Sequence, residues 1–275
     1  MCATAERCRR QGDETHALRS HRVERALPSL RPLQKDIPVR YELYYWTGIQ
    51  GRGEFIRLAL EDAGAPYSDV AREEGDEAIM PFLRGEHGGA LPFAPPFLKA
   101  GKLVVAQVAN ILAFLGPRHG LAPTADAGRL YAMQLQQTIT DMVAEAHDTH
   151  HPVSNELYYE QQRAQARKRS TAFREERIPK FLGYFEQVLE RGDGKHAVGR
   201  RHSYVDLSLF QLMSGLEYAF PNAMKRQRRR ISRLHALRQR ISERPNIAAY
   251  LASERRIAFN TDGVFRHYAE LDATR

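Results

Sequence analysis

The chain has 275 residues, and its only cysteines are Cys2 and Cys8. Covalent or redox chemistry on a protein thiol would have to come from that amino-terminal stretch, and a disulfide framework or CxxC pair is excluded. A second chemically capable group is His147, Asp148, His150 and His151. His147 and His151 stand i, i+4, a spacing at which two imidazoles of one helix can share a metal ion. No Glu-x-x-His pattern accompanies them, so a metal site, a pocket lining and a plain helix surface are all open readings. The third group is basic: Lys225, Arg226, Arg228, Arg229, Arg230, Arg233, Arg238, Arg240 and Arg244, opposed by Glu243.

A phosphate-binding surface needs its cations gathered on one face. In the basic segment, Ile231, Leu234, Leu237 and Ile241 form an apolar stripe at helical spacing, and the arginines take the remaining positions. This reads as the solvated side of a packed helix, and nucleic acid is not expected as a partner. The formal net charge of +8 has its source there and in residues 1–40, which hold nine Lys/Arg against five Asp/Glu. The rest of the chain is mildly acidic.

The elements that must position these groups fall into two halves. Residues 1–39 show no sustained apolar period, and Pro28, Pro32 and Pro38 break the latter part. They lack the apolar core of a secretory signal, and Glu6, Asp13, Glu14 and Glu24 argue against a mitochondrial leader. A disordered basic extension without chemistry is expected there. Tyr41 to Trp46 alternates as a strand with Tyr41, Leu43 and Tyr45 on one face. A turn through Gly48 and Gly51 leads to a helix from Arg52 to Ala63, closed by Gly64 and Pro66. A short strand over Tyr67–Val70, a short helix near Glu77–Leu83 and a hairpin over Phe97–Val105 follow. Val108, Ile111, Leu112 and Leu115 then mark a helix ending at Gly116-Pro117. From Ala125 onward only helical patterns occur, and Ser203-Tyr204-Val205-Asp206 is a capping box opening one of them. The expected architecture is βαβαββα over residues 40–117, then an all-helical domain over 122–270. Leu103–Gly116, the best uncharged apolar run, is shorter than the roughly 18 residues a membrane helix needs. No membrane association is expected.

In its order of motifs the chain resembles the cytosolic glutathione transferases, nearest the tyrosine-type classes (pi, mu, sigma) and their bacterial relatives. Arg40-Tyr41-Glu42-Leu43-Tyr44-Tyr45-Trp46 followed by Gly51-Arg52 is similar to their first strand and turn. Pro96-Phe97-Leu98 with Gly101 and Gln107 keeps the family spacing from a cis-proline to a glutathione-binding Gln. Ser203-x-x-Asp206 and Arg244-Pro245-Asn246-Ile247-Ala248-Ala249-Tyr250-Leu251 resemble the family's buried capping box and late helix. The resemblance implies a thioredoxin-like first domain, an all-helical second domain, a cytoplasmic homodimer and no metal or bound cofactor. Glutathione would be the co-substrate and a small hydrophobic electrophile its partner, in detoxification.

The resemblance also implies roles. Gapless alignment of the first strand puts the catalytic hydroxyl on Tyr45. Counting back from Gly51-Arg52 lands on Trp46 instead, and Thr47 would be the serine-type equivalent. Arg52, Gln107 and the residues at Pro95, Pro96 and Val108 would meet glutathione, with Trp46 beside them and Asp148, or Thr149 by the alternative alignment, reaching in from a partner subunit. Two positions depart from the pattern: Val108 stands where the family has Ser, and Pro95 offers no N–H. They favour a second reading, a protein of this fold that binds without catalysing. Ser203 and Asp206 would be structural. The aromatics Tyr158, Tyr159, Phe181, Tyr184 and Phe185 are expected in the core.

Overall fold

A computed structural model describes residues 40–273. The amino-terminal extension, with Cys2 and Cys8, lies outside the described residues. Strand β1 (Tyr41–Tyr44) pairs in parallel with β2 (Tyr67–Asp69) and antiparallel with β3 (Phe97–Ala100), which turns through Gly101 into β4 (Leu103–Ala106). The sheet order is β2-β1-β3-β4. A parallel pair needs a crossover, supplied here by helix α1 (Gly53–Asp62). Short helices α2 (Val70–Glu74) and α3 (Met80–Leu83) follow β2, and α4 (Val108–Arg118) follows β4.

The alternation read in β1 sorts its side chains. Tyr41 and Leu43 face the main core with Phe55, Ile56, Leu98 and Ile111. Tyr44 faces the other side, stacked on Phe97 at 4.6 Å between ring centroids and backed by Phe82 and Ile79. The strand stops at Tyr44, two residues earlier than expected, and the chain bends at Tyr45 toward the amino terminus of α1. Helix α4 runs slightly past Gly116, with Pro117 inside its last turn.

The second half is helical among the described residues: α5 (Asp126–Asp148), α6 (Arg163–Ala172), α7 (Ile178–Arg191), α8 (Tyr204–Ala219), α9 (Pro221–Gln227), α10 (Ser232–Ser242) and α11 (Pro245–Leu251). Helix α8 is the centre: nearly all of its residues are buried, as expected of a helix packed on every side. The stripe Ile231, Leu234, Leu237 and Ile241 is buried while Arg228, Arg229 and Arg230 are exposed, as the pattern implied. Tyr159, Phe181 and Phe185 are in the core, and Tyr184 packs partly buried against it. Tyr158 is 77% exposed, against expectation: it caps a short turn at residues 159–161, which points its ring outward. No described helix is long and apolar enough to cross a membrane.

Helix α1 joins the halves. Nine of its ten residues are buried. Its carboxylates are answered from the carboxy-terminal half: Glu54 by the Tyr250 hydroxyl (2.8 Å) and Arg256, Glu61 by Arg255, and Asp62 by His202 (2.8 Å) and Arg244 (2.5 Å).

Candidate active site

The turn between β1 and α1 is shaped around one side chain. The ring of Tyr45 lies against the backbone of Gly51 and Gly53; a Cβ at either glycine would fall within 3 Å of it. Gly51 also has φ +45°, a conformation glycine adopts freely. The backbone N–H of Arg52 donates to the Tyr45 hydroxyl oxygen at 2.8 Å. That bond uses a lone pair of the oxygen, and no described residue accepts the hydroxyl hydrogen. Burial pushes the Tyr45 phenol above its ordinary value, and the Arg52 N–H with the Arg52 and Arg57 charges offsets this only in part. At neutral pH the group is therefore a proton-bearing donor, not a base.

Arg57 fixes the turn from below. Fully buried, it donates to Asp69 at 2.6 Å and to the Gln50 carbonyl at 3.2 Å. The Gln50 side chain ties the turn to the second half, accepting from Gln211 at 2.8 Å and donating to the Ile257 carbonyl. Asn260 donates to the Gly48 carbonyl at 2.7 Å, so the segment after α11 straps the same loop.

Beside the turn, Arg52, Phe55, Val108, Gln136, Ile139, Thr140 and Val143 line a narrow groove between α1, the start of α4 and the middle of α5. Gln136 is 1% exposed, and neither its amide nitrogen nor its oxygen has a partner. The sequence offered no signal for Gln136 or Gly53, since their importance rests on what they face across the fold. The peptide between Pro95 and Pro96 is cis, and both residues are buried at the start of β3. Gln107 caps α4 at φ +71° and is exposed; among the described residues it is the one non-glycine with positive φ. Such strained residues cluster at ligand sites. Val108 begins α4, where free backbone N–H groups favour an anion.

Other candidates stand apart. Trp46 is half-buried against the cluster of Tyr44 and Phe97. Thr47 is exposed, its N–H donating to Asp76 at 2.9 Å. Asp148 lies at the end of α5, 3.8 Å from Arg169 and 3.9 Å from His147. His147, His150 and His151 converge there, with ligand-capable ring nitrogens within 4.8 Å of one another. Burial, followed by the Arg52 charge, pushes His147 down to about 4, which makes Arg52 its electrostatic neighbour. Ser203 and Asp206 form the capping box: Asp206 accepts from the Ser203 N–H and Oγ, each at 2.8 Å, and from the Ala197 N–H at 2.8 Å.

Residues 147–254 match the family model described as "Glutathione S-transferase, C-terminal domain". The chain is 27% identical over 208 residues to a glutathione S-transferase of Plasmodium yoelii yoelii, covering 75% of this chain and 90% of that one. It is 27% identical over 221 residues to a glutathione S-transferase of Plasmodium falciparum (isolate 3D7), covering 78% and 95%. Among solved structures, prostaglandin synthase D of Nilaparvata lugens superposes at TM-score 0.60 with 18% identity, over 78% of this chain and 98% of the other. A pi-class glutathione S-transferase of Onchocerca volvulus superposes at 0.59 with 20% identity, over 77% and 91%. The structural likeness establishes a thioredoxin-like sheet domain with a helical second domain. Together with the sequence matches, it makes the chain similar to the cytosolic glutathione transferases over both of its halves.

Proposed function

We propose that the protein activates glutathione as its thiolate and adds it to small hydrophobic electrophiles. The observation that carries this reading is the Tyr45 hydroxyl, fixed through its oxygen by the Arg52 N–H while its proton lacks an acceptor. A thiol of ordinary pKa, about 8.5, is only a few per cent ionised at pH 7. A phenol O–H donating to sulfur favours the anion, and a lowering of about two pKa units corresponds to roughly 2.7 kcal/mol. The thiol proton leaves to solvent as the thiolate forms, and the sulfur then bonds to the electrophilic carbon as that carbon's π bond opens or its leaving group departs with the electron pair.

The γ-glutamyl carboxylate of the tripeptide would face Arg52 and the amino terminus of α4 at Gln107 and Val108. Val108 removes a hydroxyl contact and leaves its backbone N–H for that end. The carbonyl of Pro95, next to Pro96, would pair with the cysteinyl backbone, and Trp46 would flank it. In a homodimer Asp148 of the second copy is the candidate partner for the glutathione amino group. The curated relatives carry the name glutathione S-transferase, which supports glutathione as co-substrate.

The test is Tyr45→Phe, which keeps the ring and deletes the donor. Ultraviolet absorbance of bound thiolate, titrated against pH, should move toward the solution value, with about one to two powers of ten lost in rate near pH 7. Thr47→Ala and Tyr44→Phe should leave the titration in place. An unshifted titration in Tyr45→Phe removes Tyr45 from the mechanism. Absence of any thiolate signal in the unmodified protein supports the non-catalytic reading that Val108 and Pro95 favour.

A further inference from the structure

The end of α5, beside Asp148, brings together three imidazoles to which the proposed transferase chemistry assigns no role. The spacing His147-x-x-His150-His151 is i, i+3, i+4, which puts the three on one face of a helix, and the chain tightens where α5 ends at Asp148. Thr149 N–H returns to the Ala146 carbonyl, and both His150 and His151 N–H return to the His147 carbonyl, each at 3.2 Å. The Thr149 hydroxyl adds a bond to the Ala146 carbonyl at 2.7 Å. As a result the His147 ring stacks on His151 at 4.9 Å and meets His150 edge-on at 5.0 Å.

Hydrogen bonding then sets which nitrogens are free. His150 Nε2 stands 2.9 Å from the Val264 carbonyl, which can only accept, so Nε2 carries the proton. In the neutral ring Nδ1 is then an acceptor and takes the hydrogen bond of His151 Nδ1, 2.6 Å away, so an ion would compete with that bond for the lone pair. An imidazole whose far N–H is held by a backbone carbonyl while its other nitrogen aims into a nitrogen cluster is the arrangement found around metal-ligating histidines.

We propose that His147, His150 and His151 bind one divalent transition-metal ion of the zinc class. Three nitrogens match the protein share of an open tetrahedral site, leaving the fourth position for solvent or a substrate atom. The donor set selects the class of ion: three imidazole nitrogens, with the Asp148 carboxylate 3.9 Å from His147. A hard cation, which needs oxygen ligands and net negative charge, is not served here. An ion that bonds through imidazole lone pairs is. The sequence alone did not favour a metal because no Glu-x-x-His pattern accompanies the histidines, and the hold on His150 comes from Val264, more than a hundred residues away. The inference does not rest on the transferase reading.

The experiment uses the full, untagged chain stripped with a chelator and titrated with Co²⁺, then displaced by Zn²⁺. One equivalent of Co²⁺ should bind with the visible bands of four-coordinate cobalt. Mg²⁺ and Ca²⁺ should not displace it. His151→Gln should weaken binding at least roughly tenfold, and His147→Gln/His151→Gln should abolish the equivalent with the circular dichroism spectrum unchanged. Because Cys2 and Cys8 could ligate a metal themselves, Cys2→Ser/Cys8→Ser serves as the control and should retain it. No stoichiometric binding, retention in the double histidine variant, or loss in the cysteine variant each overturns the proposal. If the double variant unfolds, the His151→Gln affinity decides alone, and an unchanged value overturns it.

Discussion

Arg52 holds Tyr45 by its oxygen: the 2.8 Å bond runs from the backbone N–H to the phenol, not the reverse. Because the donor is main chain, no substitution of the Arg52 side chain except proline removes it. The bond depends instead on the ring reaching under the start of α1, and Gly51 and Gly53 make that possible.

Gly53→Ala should therefore displace the phenol while sparing the helix, since alanine is the better helix former there. A misplacement of about 1 Å at a reacting group costs on the order of a hundredfold in rate. Turnover of a generic electrophile should fall by about that factor and stability by about 1–3 kcal/mol, because the added methyl meets the buried near end of the Tyr45 side chain. Gly48→Ala is the comparison. Gly48 has φ +72° and nothing within 4 Å, so alanine there should cost about 1 kcal/mol of stability and little activity.

Gln136 poses a different test. A buried amide with both polar atoms unpartnered is destabilising, and an apolar residue of similar size removes the penalty. Gln136→Leu should raise stability by about 1 kcal/mol in denaturant unfolding. If glutathione lies in the groove that Gln136 lines, its KM should rise in the same variant with kcat preserved. An unchanged KM would show that the groove is not where the tripeptide sits.

Asp206 acts on folding alone. Its carboxylate takes three donors, two of them backbone N–H groups, so Asp206→Ala orphans buried groups as well as uncapping α8. The expected loss is about 3 kcal/mol, with kcat per folded molecule intact. Active-site titration alongside thermal unfolding separates the two effects.

The ion cluster around Asp62 gives a pH dependence. Burial would push this carboxyl up, but the hydrogen bonds and charges of His202 and Arg244 overcome it and hold the group below the usual carboxylate range. A folded pKa below the unfolded value of about 3.9 means the stabilisation is present above that value and lost as pH falls through the folded one. Asp62→Asn should cost about 2 kcal/mol at pH 7, and the gap from the unmodified protein should close as the medium is acidified below pH 4. A gap constant across that range would mean the carboxylate's charge is not what matters.

How much of this was legible in the sequence follows the range of the forces involved. The hairpin Phe97–Ala106, the stripe Val108, Ile111, Leu112 and Leu115, and the Ser203–Asp206 box depend on neighbours a few residues apart, and they read directly. Tyr45 was reached through resemblance, but its burial against Gly53 was not, because alternation continued past Tyr44 while the backbone had already turned. Gln136 and the lone pair of His150 are set by residues far off in the chain, and no local pattern encodes them. Tyr158 went the other way: an aromatic beside core aromatics faces water because it begins a tight turn.

The strap over the β1–α1 loop has a consequence for synthesis. Gly48, Gln50 and Glu54 find partners in Asn260, Ile257 and Arg256, more than two hundred residues downstream. A nascent chain can form its sheet early, yet the loop bearing Tyr45 stays unbraced until residues 256–260 have left the ribosome. Translation arrested at the end of α11 would release a chain with helices α5 to α11 complete and the β1–α1 loop still unanchored.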